Sequence, residues 1–279
     1  MARLHEYQGK TLLRQAKIAV PQGGVAATPE EARSIAEEIG KPVMVKAQAW
    51  VTGRAGLGGI KKASTPDEVA AAAKAMLGMK VKGFTVEQVL VEEQLDITRE
   101  FYAGVIVDDR EQAPLVMFSS VGGTGIEEIA AENPDSVASV HVDIEFGLQD
   151  YQARNLVRKT GVGGKLQRGL GGLLVQLYKV ARAYEARSAE INPLVLTSDG
   201  KLYAADCRIT VDDYAVFRHK DLASRSPAST IAHPPRWRKL PTRWRPRTIA
   251  VHSILSRWPT TLRKGKDTSV STARAAEAQ

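Results

Sequence analysis

Ser198-Asp199-Gly200 is a turn signal between two runs of strand character, Ala189 to Leu196 and Lys201 to Ile209, and this hairpin constrains the chain more than any other segment. A turn centred on Asp199 sets the register, with Asn192 opposite Asp206 and Glu190 opposite Arg208. Directly opposed Cβ atoms sit roughly 4.5–5.5 Å apart. Side chains repeat on one face every second residue, so Glu190 shares the face of Asn192. Two carboxylates and an amide gathered on one face outline a site for a hard cation such as Mg²⁺, which takes oxygen donors beside waters and phosphates. An ordinary polar hairpin with solvated ends fits the same periodicity, and a slip of one residue would turn Asp206 to the opposite face.

Charge divides the chain into two unlike parts. Residues 222–279 hold 12 of the 39 Lys and Arg but 2 of the 31 Asp and Glu, so the preceding 221 residues are slightly acidic although the whole carries +8. Trp237, Trp244 and Trp258, three of the four tryptophans, and six of the 13 prolines also fall in that last stretch. The first part has the length and apolar content for one large domain or two small lobes. A single cysteine, Cys207, excludes an intramolecular disulfide. Neither a basic-then-apolar leader nor an apolar run near 20 residues is present, so a cytoplasmic protein with no membrane partner is expected.

The first part alternates helical and strand-like segments, which predicts an α/β (α+β) mixture. Helices are expected over Leu4 to Gln15, Thr28 to Ile39, Thr65 to Met76 and Leu166 to Ala186. Thr28-Pro29-Glu30-Glu31 opens the second with a capping hydroxyl and a proline suited to the first turn, and Thr65-Pro66 repeats the device. Strands are expected over Pro42 to Ala49, Gly83 to Glu92, Ile97 to Val107 and Leu115 to Ser120, the last two paired. Lys46 stands among apolar neighbours in the first of these strands, which runs into Gly53-Arg54-Ala55-Gly56-Leu57-Gly58-Gly59. Backbone N–H groups of so glycine-rich a turn can approach a phosphate closely. The spacing is neither a Walker A loop nor the dinucleotide fingerprint. A glycine-rich surface turn fits equally, Lys46 read alone suits a lysine with its head in water, and Glu92 and Glu100 suit a solvated strand face.

Taken in order, Leu4-His5-Glu6-Tyr7-Gln8-Gly9-Lys10, Val45-Lys46-Ala47-Gln48 with Gly53-Arg54 and Gly58-Gly59-Ile60-Lys61, Leu90-Val91-Glu92 with Arg99-Glu100-Phe101-Tyr102-Ala103-Gly104, and Glu190-Ile191-Asn192-Pro193-Leu194 with Asp206 resemble the ATP-grasp part of the beta subunit of ADP-forming succinate–CoA ligase, collinearly from Arg3 to Leu222. The resemblance implies an ATP-grasp fold over residues 1–222, with a lobe of about 21–93 inserted between 1–20 and 94–222. It implies that Lys46 and the Gly53, Arg54 and Ala55 loop contact nucleotide phosphates, that Glu92 and Glu100 hold the adenosine side, and that Asn192 and Asp206 bind Mg²⁺. ATP, or GTP, and CoA are the implied substrates. An alpha subunit is the implied partner, carrying the histidine that takes the phosphoryl group on its way to a carboxylic acid, as in the tricarboxylic acid cycle. None of His5, His141, His219, His233 or His252 is expected to be that histidine.

The chain departs from the family pattern in places. Ala55 stands where glycine is usual and Gly56 where lysine is, Ser119-Ser120-Val121-Gly122-Gly123 lacks a common glutamate, and Ala205-Asp206-Cys207-Arg208 keeps only the acid of its run. Such changes leave malate or citrate open as the acid in place of succinate. Beyond Leu222 nothing resembles the family's second domain. The basic stretch 223–279 reads as an out-of-frame translation without a sustained helix or strand period, expected to be disordered. Without that domain, an ATP-binding half that does not turn over is an alternative reading. Another takes Arg236-Trp237-Arg238-Lys239 and Arg243-Trp244-Arg245 as a single-strand nucleic-acid binder, since they interleave cations with rings.

Overall fold

The structure, a computed structural model, describes residues 2–50, 55–123, 125–219 and 222. The stretch read as a disordered, out-of-frame tail, with its tryptophan–arginine clusters, lies outside the described residues, as do Gly53 and Arg54. The chain runs β1 (Ala2–Arg3), α1 (Glu6–Gln15), β2 (Gly23–Ala26), α2 (Pro29–Ile39), β3 (Val43–Ala47), β4 (Ile60–Ala63), α3 (Pro66–Met76), β5 (Lys80–Val81), β6 (Phe84–Thr85) and β7 (Val89–Glu93). It continues through β8 (Ile97–Asp108), β9 (Ala113–Ser119), α4 (Ile126–Glu132), β10 (Val137–His141), α5 (Asp150–Lys159), α6 (Gly164–Ala183), β11 (Ala186–Thr197), β12 (Leu202–Ala204) and β13 (Cys207–Val211).

Two antiparallel sheets organise these elements. One has the order β2-β7-β3-β4, and α2 and α3 cover it. Its core is small-residue and β-branched: Ala32, Ala36, Val43, Val45, Val69, Ala73, Val89 and Val91 are buried. The other has the order β1-β13-β11-β8-β9-β10, with β12 beside β11. Leu170, Leu174 and Leu177, spaced to share one face of α6, are fully buried against it with Leu13, Leu156, Phe101 and Phe118. Burying each such side chain is worth about 1.5–3 kcal/mol. No helix among the described residues is long and apolar enough to cross a membrane.

The expected caps form. Thr28 Oγ1 accepts from the Glu31 amide at 3.1 Å and Thr65 Oγ1 from the Glu68 amide at 3.3 Å, each with the proline in the first turn. The hairpin register also matches expectation, with Glu190 paired to Arg208, Ile191 to Cys207 and Leu194 to Ala204. At its turn the Asp199 carboxyl accepts from Lys201 and Thr197, and those bonds lower it to about 2. Two expected strands are interrupted. Gly83 to Glu92 divides because Val86 exchanges backbone hydrogen bonds with Gly78 and Met79, which closes the β5–β6 hairpin before β7 enters the sheet. The second break falls at Ala205-Asp206. Pro193 lies opposite Ala205 and accepts from its amide at 3.1 Å, but proline has no N–H to return. The Ala205 carbonyl is therefore left over from the ladder.

Asp108, at the end of β8, illustrates a charge held by the fold. It is 1% exposed and accepts from His141 Nε2 at 2.9 Å and from the Arg110 and Glu111 amides. Burial works against its ionisation, but those hydrogen bonds outweigh it and hold the carboxyl below the usual range. A carboxyl depressed in the folded state contributes stability above its unfolded value and loses it as pH falls through the folded one. Asp108→Asn is thus expected to destabilise the chain at about pH 6 and to do so by less near pH 3. Urea midpoints of both proteins at the two pH values check this, and a gap that does not narrow on acidification removes the assignment.

Candidate functional site

α1 brings Glu6 and Lys10 onto one face, one turn apart. The helix lies flush on β13: a Cβ on Gly9 would meet Cys207 Sγ at 2.8 Å, so a larger residue there would require the Cys207 side chain to shift. Burial pushes the Cys207 thiol well up. From the small sheet come Lys46 on β3 and Glu92 on β7. Glu92 pairs with Met44 in the ladder, so it stands diagonally from Lys46 on the same face.

These four charges form one buried cluster. Lys10 Nζ donates to Glu92 Oε1 and Oε2 at 2.6 and 2.7 Å and lies 2.9 Å from Glu6 Oε1. Lys46 Nζ lies 3.0 Å from Glu6 Oε1 and 2.9 Å from Glu92 Oε2. Both ammonium groups also donate to the leftover Ala205 carbonyl, at 2.7 and 2.8 Å. Burial alone would push the Lys46 ammonium down, but the charges of Glu6, Glu92 and Asp206 outweigh it and raise it. Gln48 ties the strand to the helix by accepting from the Tyr7 amide at 3.3 Å. In front of it His5 stacks on Trp50 with ring centroids 4.5 Å apart, and Trp50 meets the edge of Phe84.

The sequence-predicted residues fall in three places. Lys46 and Glu92 meet in the cluster. Asn192 and Asp206 face each other across the hairpin, where the Asn192 amide donates to the Asp206 carbonyl at 3.1 Å and Asn192 Oδ1 accepts from the Gly123 amide at 3.0 Å. Glu100 is exposed beside that contact, since a Cβ on Gly123 would meet its carboxylate at 2.5 Å. Ala55 opens a 3₁₀ turn, Ala55–Leu57. Glu190 leaves the expected cation set: Arg208 pairs with it at 2.7 Å and the Tyr102 hydroxyl donates to it at 3.2 Å, an ion pair that follows from the register itself. No three His, Cys, Asp or Glu side chains are arranged for a metal among the described residues. Glu6, Lys10 and the Ala205 carbonyl received no role from the sequence. The i,i+4 spacing of Glu6 and Lys10 resembles a surface pair, and only the missing N–H of Pro193 pointed to the carbonyl.

Comparison with known proteins places this arrangement. A family model for the ATP-grasp domain matches residues 3–196. The beta subunit of GDP-forming succinate–CoA ligase from Thermus thermophilus is 48% identical over 220 residues, which cover 79% of this chain and 58% of that protein. The beta subunit of the ADP-forming enzyme from Halorubrum lacusprofundi is 44% identical over 227 residues, 81% of this chain and 60% of that one. The chain thus spans about three fifths of the length of these relatives. Among solved structures, the dinucleotide-forming acetyl-coenzyme A synthetase 1 of Ca. Korarchaeum cryptofilum has a TM-score of 0.64 at 22% identity, covering 76% of this chain and 94% of that one. ATP citrate lyase from Methanothrix soehngenii has the same TM-score at 18% identity, covering 81% and 54%. The fold is the α/β ATP-grasp fold, and the chain belongs to the ATP-grasp family as a homologue of succinate–CoA ligase beta subunits.

Proposed function

We propose that this chain is the nucleotide-binding part of an acid–CoA ligase of the succinate–CoA ligase beta type. In this reading residues 1–222 form the ATP-grasp unit, its smaller lobe the inserted segment of about 21–93. The confinement of the four-stranded sheet to β2 through β7 supports that division. Mg-ATP, or Mg-GTP, binds where the two sheets meet, and the phosphoryl group passes to a histidine of a partner alpha subunit before an acyl-CoA forms from the acid. The names of the relatives, ADP-forming in one and GDP-forming in the other, support a purine nucleotide and succinate.

The observation that carries the reading is the meeting of Lys46 with the Ala205-Asp206 end of the hairpin. Asp206 and Asn192 supply oxygen donors opposite each other, and Asp206 is near enough for its charge to act on Lys46, so the donor set fits Mg²⁺ completed by phosphate and water oxygens. Asn192 and Asp206 would hold the cation, which would supply positive charge against the repulsion at the phosphates during transfer. Lys46 adds a point charge to the phosphates. Glu92 holds that lysine, and Asn192 fixes the Gly123 amide near the same place. The described histidines are engaged elsewhere: His5 with Trp50, His141 with Asp108 and His219 with Glu185.

The test is the thermal midpoint with Mg²⁺, with ATP and with both. Ligand bound only by the folded state stabilises it by RT ln(1 + [L]/Kd), about 2.7 kcal/mol at 100 Kd. An upward shift that needs both components is expected, and a cooperatively melting protein that shows none overturns the reading.

A further inference from the structure

Each acceptor that Lys46 uses in the cluster is also used by Lys10: Glu6, Glu92 and the Ala205 carbonyl. The duplication is not symmetric. The side chains of Lys10, Glu6 and Glu92 are 3%, 1% and 3% exposed, whereas that of Lys46 is 10% exposed. Lys10 also makes the shorter bonds, 2.6 to 2.9 Å against 2.8 to 3.0 Å. Of the two cations, the one from the small sheet has the way out.

A buried ion held by two carboxylates is a poor ligand for anything else, because its departure leaves uncompensated charge in a medium that solvates charge badly. Two ammonium groups share two carboxylates within bonding distance here, and Asp206 adds its charge on the Lys46 side. If Lys46 leaves, Glu6 and Glu92 retain Lys10, together with the carbonyl that Pro193 cannot engage.

We propose that Lys10 is a positioning residue that makes Lys46 available to nucleotide phosphate, by holding Glu6, Glu92 and the Ala205 carbonyl when Lys46 turns away from them. The proposal rests on the nucleotide-binding reading above and deepens it. Without Lys10, the departure of Lys46 leaves two bare carboxylates instead of one, and Lys46 is retained by them. Removing one carboxylate as well restores the balance.

The test is the dissociation constant of Mg-ATP by calorimetry on the full chain, with melting curves as the folding control. Lys10→Met is expected to weaken binding about tenfold or more, a coupling typical of buried neighbours, although Lys46 is untouched. Lys10→Met with Glu6→Gln is expected to return to within a few-fold of the wild type, and Glu6→Gln alone to tighten binding about threefold. A merely structural role for Lys10 predicts that affinity follows the melting midpoint of the ligand-free variants and that Glu6→Gln alone does not tighten binding. Should Lys10→Met fail to fold, Glu6→Gln alone decides the matter. Weaker binding by Glu6→Gln, unchanged binding by Lys10→Met, or a double variant no better than Lys10→Met overturns the proposal. A wild-type chain that binds no Mg-ATP removes the nucleotide reading and this inference with it, whereas a wild type that binds and variants that disobey remove this inference alone.

Discussion

Glu92→Ala is expected to lower the thermal midpoint of the chain by roughly 10 °C. Glu92 is 2% exposed and accepts from both lysines of the cluster. Its loss leaves Glu6 as the one carboxylate bonded to both Lys10 and Lys46, with Lys10 and Glu6 almost fully buried. Breaking a buried pair from one side costs about 3–5 kcal/mol, chiefly because the surviving charge is stranded. For a chain of this size each kcal/mol moves the midpoint by about 2–4 °C.

Two further variants separate stranded charge from lost volume. Glu92→Gln fills the space but not the charge, and is expected to keep most of the loss. Glu92→Ala with Lys10→Met restores one cation to one anion, and is expected to recover at least half of it, since well-packed apolar replacements of buried ion pairs are often neutral. Scanning calorimetry near neutral pH reads all three. If Glu92→Ala and Glu92→Gln both melt within a few degrees of the wild type, water reaches the cluster and its burial counts for little. The exposed group Arg33, Glu37 and Asp67 on α2 and α3 offers the contrast: its distances are similar, 2.9 to 3.0 Å, but solvent screens it and removing Arg33 is expected to change little.

The difference between those clusters also explains what could be read from the sequence. Features decided by neighbours in the chain were legible. Thr28 and Thr65 each precede a proline and an acidic turn, and both cap helices. Ser198-Asp199-Gly200 set the register that carries Asn192 to Asp206, because a turn of fixed length leaves the strands one pairing. The helix α5 was missed although its buried residues Ala153, Leu156 and Val157 stand at i, i+3 and i+4, the spacing that could have found it. The cluster was illegible for another reason. Its partners stand 40, 82 and 195 positions apart, and one of them is a backbone carbonyl with no side chain to signal it. The resemblance named Lys46 and Glu92 but gave Glu6 and Lys10 no part, since an i,i+4 pair in a first helix looks like surface decoration until a sheet closes over it.

Asp206→Ala is expected to abolish the Mg²⁺-dependent part of nucleotide stabilisation, a loss of about 2.7 kcal/mol when ligand stands at 100 Kd. Asp206 lies opposite Asn192, next to the Ala205 carbonyl that both lysines use, and its charge is felt by Lys46. Three variants divide the possible causes. Asp206→Asn keeps an oxygen and the shape but lacks the charge a hard cation requires, so it is expected to need far more Mg²⁺ for the same shift. Asn192→Ala removes a donor and also the acceptor of the Gly123 amide, so a smaller loss is expected at saturating Mg²⁺, with a lower midpoint in the absence of ligand. Lys46→Met leaves the cation donors intact and is expected to reduce the response to ATP at every Mg²⁺ concentration. Midpoints measured across a Mg²⁺ series at fixed ATP separate these patterns, because a cation ligand moves the Mg²⁺ dependence and a phosphate ligand moves the amplitude. If Asp206→Ala keeps both the Mg²⁺ requirement and the full shift, the cation is held elsewhere, and the opposition of Asn192 and Asp206 is only the way this hairpin pairs.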